Sequence, residues 1–124
     1  MESPGRRTAV YHFTYSMVVA EGSQTTRAAE REVLLQSVEL MEQAELAGAA
    51  SREAIDAVYF VSRLWCHFIE DLGSPDNHLP NDIRARLISI GLFMIRRADS
   101  IRNGSETSFR GMIDITRTVA EGLK

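Results

Sequence analysis

The sequence predicts an all-α fold, a small four-helix bundle-like domain with an extended or loosely packed N-terminal arm. Three observations carry that reading. Four segments repeat apolar residues at the three- and four-residue spacings of one helix face. Between them stand connections built from helix stop and start residues. Strand-like alternation occurs only within residues 8–19, and a lone strand has no partner. At 124 residues the chain is one domain by length, and it can bury roughly two-thirds of its unfolded surface. The predicted organisation is an arm and linker over residues 1–26 and a helical domain over residues 27–124.

In the arm, Tyr11, Phe13, Tyr15 and Met17 alternate with His12, Thr14 and Ser16. Such a segment either lies on the body or pairs with something outside it. "EGSQTT", residues 21–26, reads as a linker, with Thr25 or Thr26 capping the first helix. That helix runs to about Ala47, and Gly48 ends it. Leu34, Val38, Met41 and Glu45 share one line, so its apolar face is thin. Glu30, Glu32, Glu39, Glu42 and Glu45 make its outer side acidic.

Ser51 is the next N-cap, and the second helix runs to about Leu72 and stops at Gly73, with Pro75 beyond. Ala54, Val58, Val61, Trp65, Phe68 and Leu72 form one buried stripe, which Ile55, Phe60, Leu64 and Ile69 widen. The third helix starts near Pro80, a favoured first-turn residue, and ends at Asn103-Gly104. Its centre, "LISIGLFMI", is apolar nearly all round, so it is expected to be central and covered on several sides. Gly91 weakens a helix by about 1 kcal/mol relative to Ala, which a neighbour closely approaching its backbone would explain. A fourth helix covers roughly Ser108–Glu121, with Phe109, Met112, Ile113, Ile115 and Val119 inside and Gly122 at its end.

Composition narrows the function classes. Hydrophobic residues make up 44%, charged residues 25%, and the net charge is −3. No bulk positive field draws nucleic acid or anionic membrane. The single cysteine fits a reducing compartment. No apolar run approaches the ~18 residues of a membrane span. The stretch after Arg6-Arg7 is too polar for a secretory core. The expected location is the cytoplasm.

The densest chemistry is "RLWCHFIEDLGSPDNHLP", residues 63–80. On a helix, Cys66 and His67 point about 100° apart and cannot pair as nucleophile and base. Cys66 faces Glu70, and His67 faces Asp71. A metal-dependent enzyme would use Cys66, His67, Asp71 and His78, but zinc wants three or four protein ligands, and His78 lies past the helix stop. Cys66 is expected to be a buried or half-buried thiol, with no metal and no cofactor. Trp65 is expected to be the main packing residue. The chain has no phosphate-cradling glycine loop and no hydrolase or metalloprotease motif, so it does not read as an enzyme. Arg84, Arg86, Arg96, Arg97, Arg102, Arg110 and Arg117 could form a patch for RNA, but Asp82, Asp99, Asp114 and Glu121 interleave with them. The apolar surplus has two readings, core alone or a groove for a partner helix.

Arg63-Leu64-Trp65, Glu70-Asp71-Leu72, Pro75, Asn77, Leu79-Pro80, "LISIGLF" at residues 87–93, Phe109-Arg110-Gly111 and Gly122-Leu123 together resemble the FlaF family, the flagellar biosynthesis regulators of alphaproteobacteria. The resemblance runs from about Tyr11 to Lys124 and is densest over residues 54–124. At residues 115–117 the family pattern has Ile-Asn-Arg where this chain has Ile115-Thr116-Arg117. The resemblance implies a non-enzymatic protein that binds flagellin as an export chaperone and promotes its synthesis and secretion, opposite to the regulator FlbT. The surfaces expected to grip flagellin are Tyr11, Phe13 and Tyr15 of the arm, with Tyr59, Phe60, Phe93 and Met94 of the second and third helices. The alternative is an RNA-binding regulator of flagellin translation.

Overall fold

The computed structural model describes residues 23–123, with side chains from 27 to 123. The described residues form four helices: α1 (Ser23–Ala47), α2 (Arg52–Leu72), α3 (Asn81–Arg102) and α4 (Arg110–Glu121). No strand occurs among the described residues. The class is all-α, as the periodicity predicts. The alternating segment with Tyr11, Phe13 and Tyr15 lies outside the described residues.

Most boundaries fall at the residues that local chemistry marks. Gly48 ends α1 in the left-handed region, φ 104, where only glycine is unstrained. Its N–H donates to Ala44 O at 2.9 Å. Ser51 caps α2: its hydroxyl accepts from Ala54 N at 3.1 Å and donates to Gly48 O at 2.6 Å. Gly73 stops α2 with φ −85, so its position needs no glycine-only conformation. There Arg84 Nη1 donates to Leu72 O at 3.2 Å, satisfying a helix-end carbonyl. Pro80 stands immediately before α3 rather than inside its first turn. The start of α1 differs from expectation. The helix takes in Ser23–Thr26, the last four residues of the expected linker, because nothing after Gly22 breaks a helix.

The residues group into two units, Leu40–Ile113 and a smaller one whose described residues are 23–39 and 114–123. In the larger unit the predicted α2 stripe is buried throughout, from Ala54 to Leu72. Trp65 is its centre, 1% exposed, with its ring edge-on to Phe68 at 5.4 Å and 87°. The indole N–H is buried and makes no hydrogen bond, so packing alone holds the ring. Against it lies Gly91 of α3. A Cβ there would stand 2.8 Å from Trp65 Cε3 and 2.9 Å from the Ile69 side chain. The close approach expected at Gly91 is present, and α2 makes it.

The expectation that α3 is covered on several sides is met only in part. Its buried residues are Gly91, Met94, Ala98 and Ile101. Ile83 and Leu92 are exposed, and Leu87, Ile88, Ile90, Phe93 and Ile95 are half-buried. The helix buries one arc fully and leaves its other apolar residues half-buried or exposed.

A contact that periodicity does not announce fixes the start of α4. Glu45, near the end of α1, accepts from Ser108 Oγ at 3.0 Å and from Phe109 N at 2.6 Å. A carboxylate at a helix N-terminus satisfies an orphan N–H and meets the positive end of the dipole. Glu106 supports the same turn, accepting from Ser108 N at 3.2 Å and lying 3.4 Å from Arg97. The inner face of α4 is Phe109, Met112, Ile113, Thr116 and Ala120, all buried. Ile115 and Val119, expected inside, are half-buried. In the smaller unit Val33, Leu34, Ser37 and Val38 of α1 are buried, and the Ser37 hydroxyl donates to Leu34 O at 2.6 Å.

Three consequences are measurable by urea unfolding. Gly91→Ala gains about 1 kcal/mol of helix propensity yet is expected to lower stability by about 1–3 kcal/mol net, because a packed ring must move. Gly111→Ala, with nothing within 4 Å of its Cβ position, is expected to raise stability by roughly 0.5–1 kcal/mol. Glu45→Ala is expected to cost about 1–2 kcal/mol, the range of a lost N-cap, and Glu45→Gln less, since the amide oxygen still accepts.

Candidate partner-binding surface

The surface is built by the α2–α3 pair. Residues 73–80 join the two helices, a connection short enough to make them antiparallel neighbours. The loop is held from within. Ser74 Oγ accepts from Asp76 N at 3.1 Å, Asn77 Oδ1 accepts from Leu79 N at 3.0 Å, and Asn77 Nδ2 donates to Asp71 Oδ2 at 3.3 Å. Gly91 against Trp65 and Ile69 sets the register. One flank of the seam carries the buried side chains, Leu64 and Phe68 on α2 and Met94 and Ala98 on α3. The opposite flank faces outward.

Helical spacing puts Ile55, Tyr59 and Ile69 of α2 on that outer flank, and Ile88, Leu92 and Ile95 of α3 beside them. Ile55 is 67% exposed, Tyr59 51% and Leu92 45%, and the other three are half-buried. The guanidinium of Arg63 lies over the Tyr59 ring at 5.6 Å. The result is an apolar strip, interrupted on α2 by Ser62 and Cys66, the kind of surface that marks an interaction site.

The residues expected to bind a partner divide. Tyr59 is on the strip. Phe93 is half-buried on another side of α3, with the Arg97 guanidinium 5.6 Å from its ring centre. Phe60 and Met94 are corrected: at 6% and 0% exposure they belong to the core and offer nothing to a partner. Ile55 is corrected in the other direction, since it lies outside the stripe it was expected to widen. Sequence reasoning also missed Leu92. The signal was the 88–92–95 spacing, which falls on the side of α3 away from Met94.

The reactive run of residues 63–80 does not assemble into a site. His67 Nδ1 stands 4.0 Å from Glu70 Oε1, Asp71 is held by Asn77, and His78 is exposed. Among the described residues no three His, Cys, Asp or Glu side chains could hold a metal ion. Cys66 is exposed, contrary to the expected buried thiol, because residue 66 falls on the outer face of α2 with Tyr59. Several of the arginines weighed for RNA have partners within the chain. Arg84 donates to Leu72 O and to Asn81 Oδ1 at 2.5 Å, Arg97 pairs with Glu106, and Arg102 pairs with Asp99.

Fold and surface together define a small all-helical protein with an apolar strip on one helix pair. The description "Flagellar protein FlaF" matches residues 11–123, and the chain belongs to the FlaF family of flagellar proteins. No curated protein and no solved structure matches it. No helix among the described residues is long and apolar enough to cross a membrane.

The exposed thiol gives a direct check on this face. In native buffer, a disulfide-exchange reagent is expected to titrate one thiol per chain, at a rate close to that of the urea-unfolded chain. A thiol that reacts only after unfolding would place residue 66 inside.

Proposed function

We propose that this FlaF-family protein is a non-enzymatic regulator of flagellar biosynthesis that binds flagellin in the cytoplasm. It acts as an export chaperone or adaptor and promotes flagellin synthesis and secretion, with a functional link to FlbT. The observation that carries this reading is the outer strip of α2 and α3 in a chain whose family is flagellar. Unassembled flagellin presents amphipathic terminal helices that would otherwise associate with one another. An apolar surface with anchors at helical spacing is suited to cover such a helix, by the helix-in-groove mode of recognition. Reversible cover of this kind holds a subunit unassembled and still lets it go.

The rival reading is an RNA-binding regulator of flagellin translation. The internal pairing of Arg84, Arg97 and Arg102 favours the protein-binding reading, since a phosphate contact needs a cation that is not already engaged.

Calorimetric titration with unassembled flagellin tests the proposal. The wild-type chain is expected to bind with a negative heat-capacity change, as apolar burial requires, and with little loss between low and moderate salt. The pair Tyr59→Glu and Leu92→Glu is expected to keep its helical circular dichroism and to weaken binding at least about tenfold, the scale of losing interface anchors. Unchanged affinity in the folded variant would remove the strip from the mechanism. Binding to flagellin message that collapses with added salt, with no binding to flagellin, would establish the RNA reading instead.

A further inference from the structure

The chain has three asparagines, Asn77, Asn81 and Asn103, and only Asn103 is followed by glycine. The Asn103-Gly104 pair stands just past the end of α3. Gly104 turns the chain there with φ 88, a conformation that glycine adopts without strain. The helix stop therefore needs a residue without a side chain, and that choice leaves its own nitrogen unshielded. Nothing lies within 4 Å of where a Cβ would stand, and Asn103, Gly104 and Ser105 are all exposed. A carboxamide carbon and a bare backbone nitrogen in adjacent residues are an electrophile and a nucleophile separated by bond rotations alone. The other two asparagines lack this arrangement. Asn77 precedes His78 and is tied to Leu79 N and Asp71. Asn81 precedes Asp82 and accepts from Arg84.

We infer that Asn103-Gly104 is a site of spontaneous covalent rearrangement, gated by the last turn of α3. Gly104 N attacks Asn103 Cγ, and the new C–N bond closes a cyclic imide. The Cγ–Nδ2 bond breaks, and Nδ2 leaves as ammonia with the proton from Gly104 N. Water then adds to either imide carbonyl and returns a proton to Gly104 N. Opening at Cγ gives an aspartate in an ordinary backbone. Opening at the main-chain carbonyl gives an isoaspartate, whose backbone runs through Cβ and Cγ and is longer by a carbon. Solvent water is the sole co-reactant, and no electrons change hands. This inference does not depend on the flagellin-binding reading.

The folded chain keeps the reactants apart. Asn103 has ψ 1, which eclipses Gly104 N with Asn103 N and turns it away from the side chain. The Gly104 N–H donates to Ile101 O at 3.2 Å, so the nucleophile is engaged. Asn103 Oδ1 accepts from Ser105 N at 3.0 Å and from Ser105 Oγ at 2.7 Å, which pins the amide. The reaction runs when this turn opens, and helix ends open at low cost. The products do not restore the turn. A carboxylate at position 103 stands at the negative end of the α3 dipole. The longer isoaspartate backbone enters the connection that carries Glu106, whose carboxylate accepts from Ser108 N at the start of α4.

The test incubates the full chain in mildly alkaline buffer, folded and in urea, and maps its peptides by mass spectrometry with aspartate and isoaspartate resolved. Conversion is expected at Asn103, to both products, with Asn77 and Asn81 intact. It is expected to run about tenfold slower in the folded chain than in urea, the scale of breaking local hydrogen bonds. Ser105→Ala removes one donor to Asn103 Oδ1 and is expected to speed conversion of the folded chain several-fold with unchanged helical circular dichroism. Conversion in neither state, or equal conversion at Asn77 and Asn81, overturns the site. Equal rates folded and in urea, or conversion in urea alone, overturn the gate. The isoaspartate form, separated by ion exchange, is expected to melt below the fresh chain, and coincident melting overturns the consequence for the fold.

Discussion

Gly91 is where α3 meets α2 without a side chain between them. A methyl group there would stand 2.8 Å from the ring of Trp65, closer than packed carbon atoms come. The missing Cβ lets the helix axes approach, and the approach fixes the register of the whole pair. Everything on the two flanks of the seam follows from that register. Met94 and Ala98 fall on the side of Leu64 and Phe68 and are buried with them. Leu92 and Ile88 fall on the other side and meet solvent with Tyr59 and Ile55. A shift of one residue would exchange core for surface along α3.

That arrangement accounts for the composition of α3. A helix that is apolar nearly all round is expected to be surrounded, yet α3 is buried only through the arc holding Gly91, Met94, Ala98 and Ile101. The leftover apolar residues are not scattered. On the outer flank they line up with α2 residues of the same character, and the polar groups of the connecting loop are satisfied among themselves. The chain belongs to a flagellar family, and the proposed flagellin binding rests on this outward apolar surface. The loop and caps give it a rigid frame, so little order has to be created when a partner arrives.

Local chemistry was the legible part of the fold. Ser51, Gly48 and Gly73 marked their boundaries because caps and stops act within a few residues of the chain. The α2 stripe was legible because six of its positions keep strict helical spacing and all are buried. Gly91 was legible as an anomaly, an unfavourable residue in the middle of an apolar helix. What the sequence hid was the direction of each face in space. Ile55 and Phe60 are both apolar and both flank the stripe, but only Phe60 is turned inward. Met94 and Leu92 differ in the same way. Periodicity defines an arc, and the neighbour that covers part of it is set by tertiary packing. Thr116 was hidden for a different reason, since a hydroxyl residue on the inner face of α4 does not register as core. Glu45 was hidden because its partners are far away in sequence, although its place on the line of Leu34, Val38 and Met41 set it apart from the solvated acids.

The Glu45 contact also orders events in time. Its partners lie 63 and 64 residues further along the chain, whereas α2 and α3 are joined by residues 73–80 alone. Ring closure over the longer span costs more chain entropy, and contacts between distant residues form slowly. During vectorial synthesis the α2–α3 pair is complete once Arg102 has left the ribosome, while the carboxylate on α1 still waits for Ser108 and Phe109 to emerge. The hairpin therefore has the means to fold before the Glu45 contact closes.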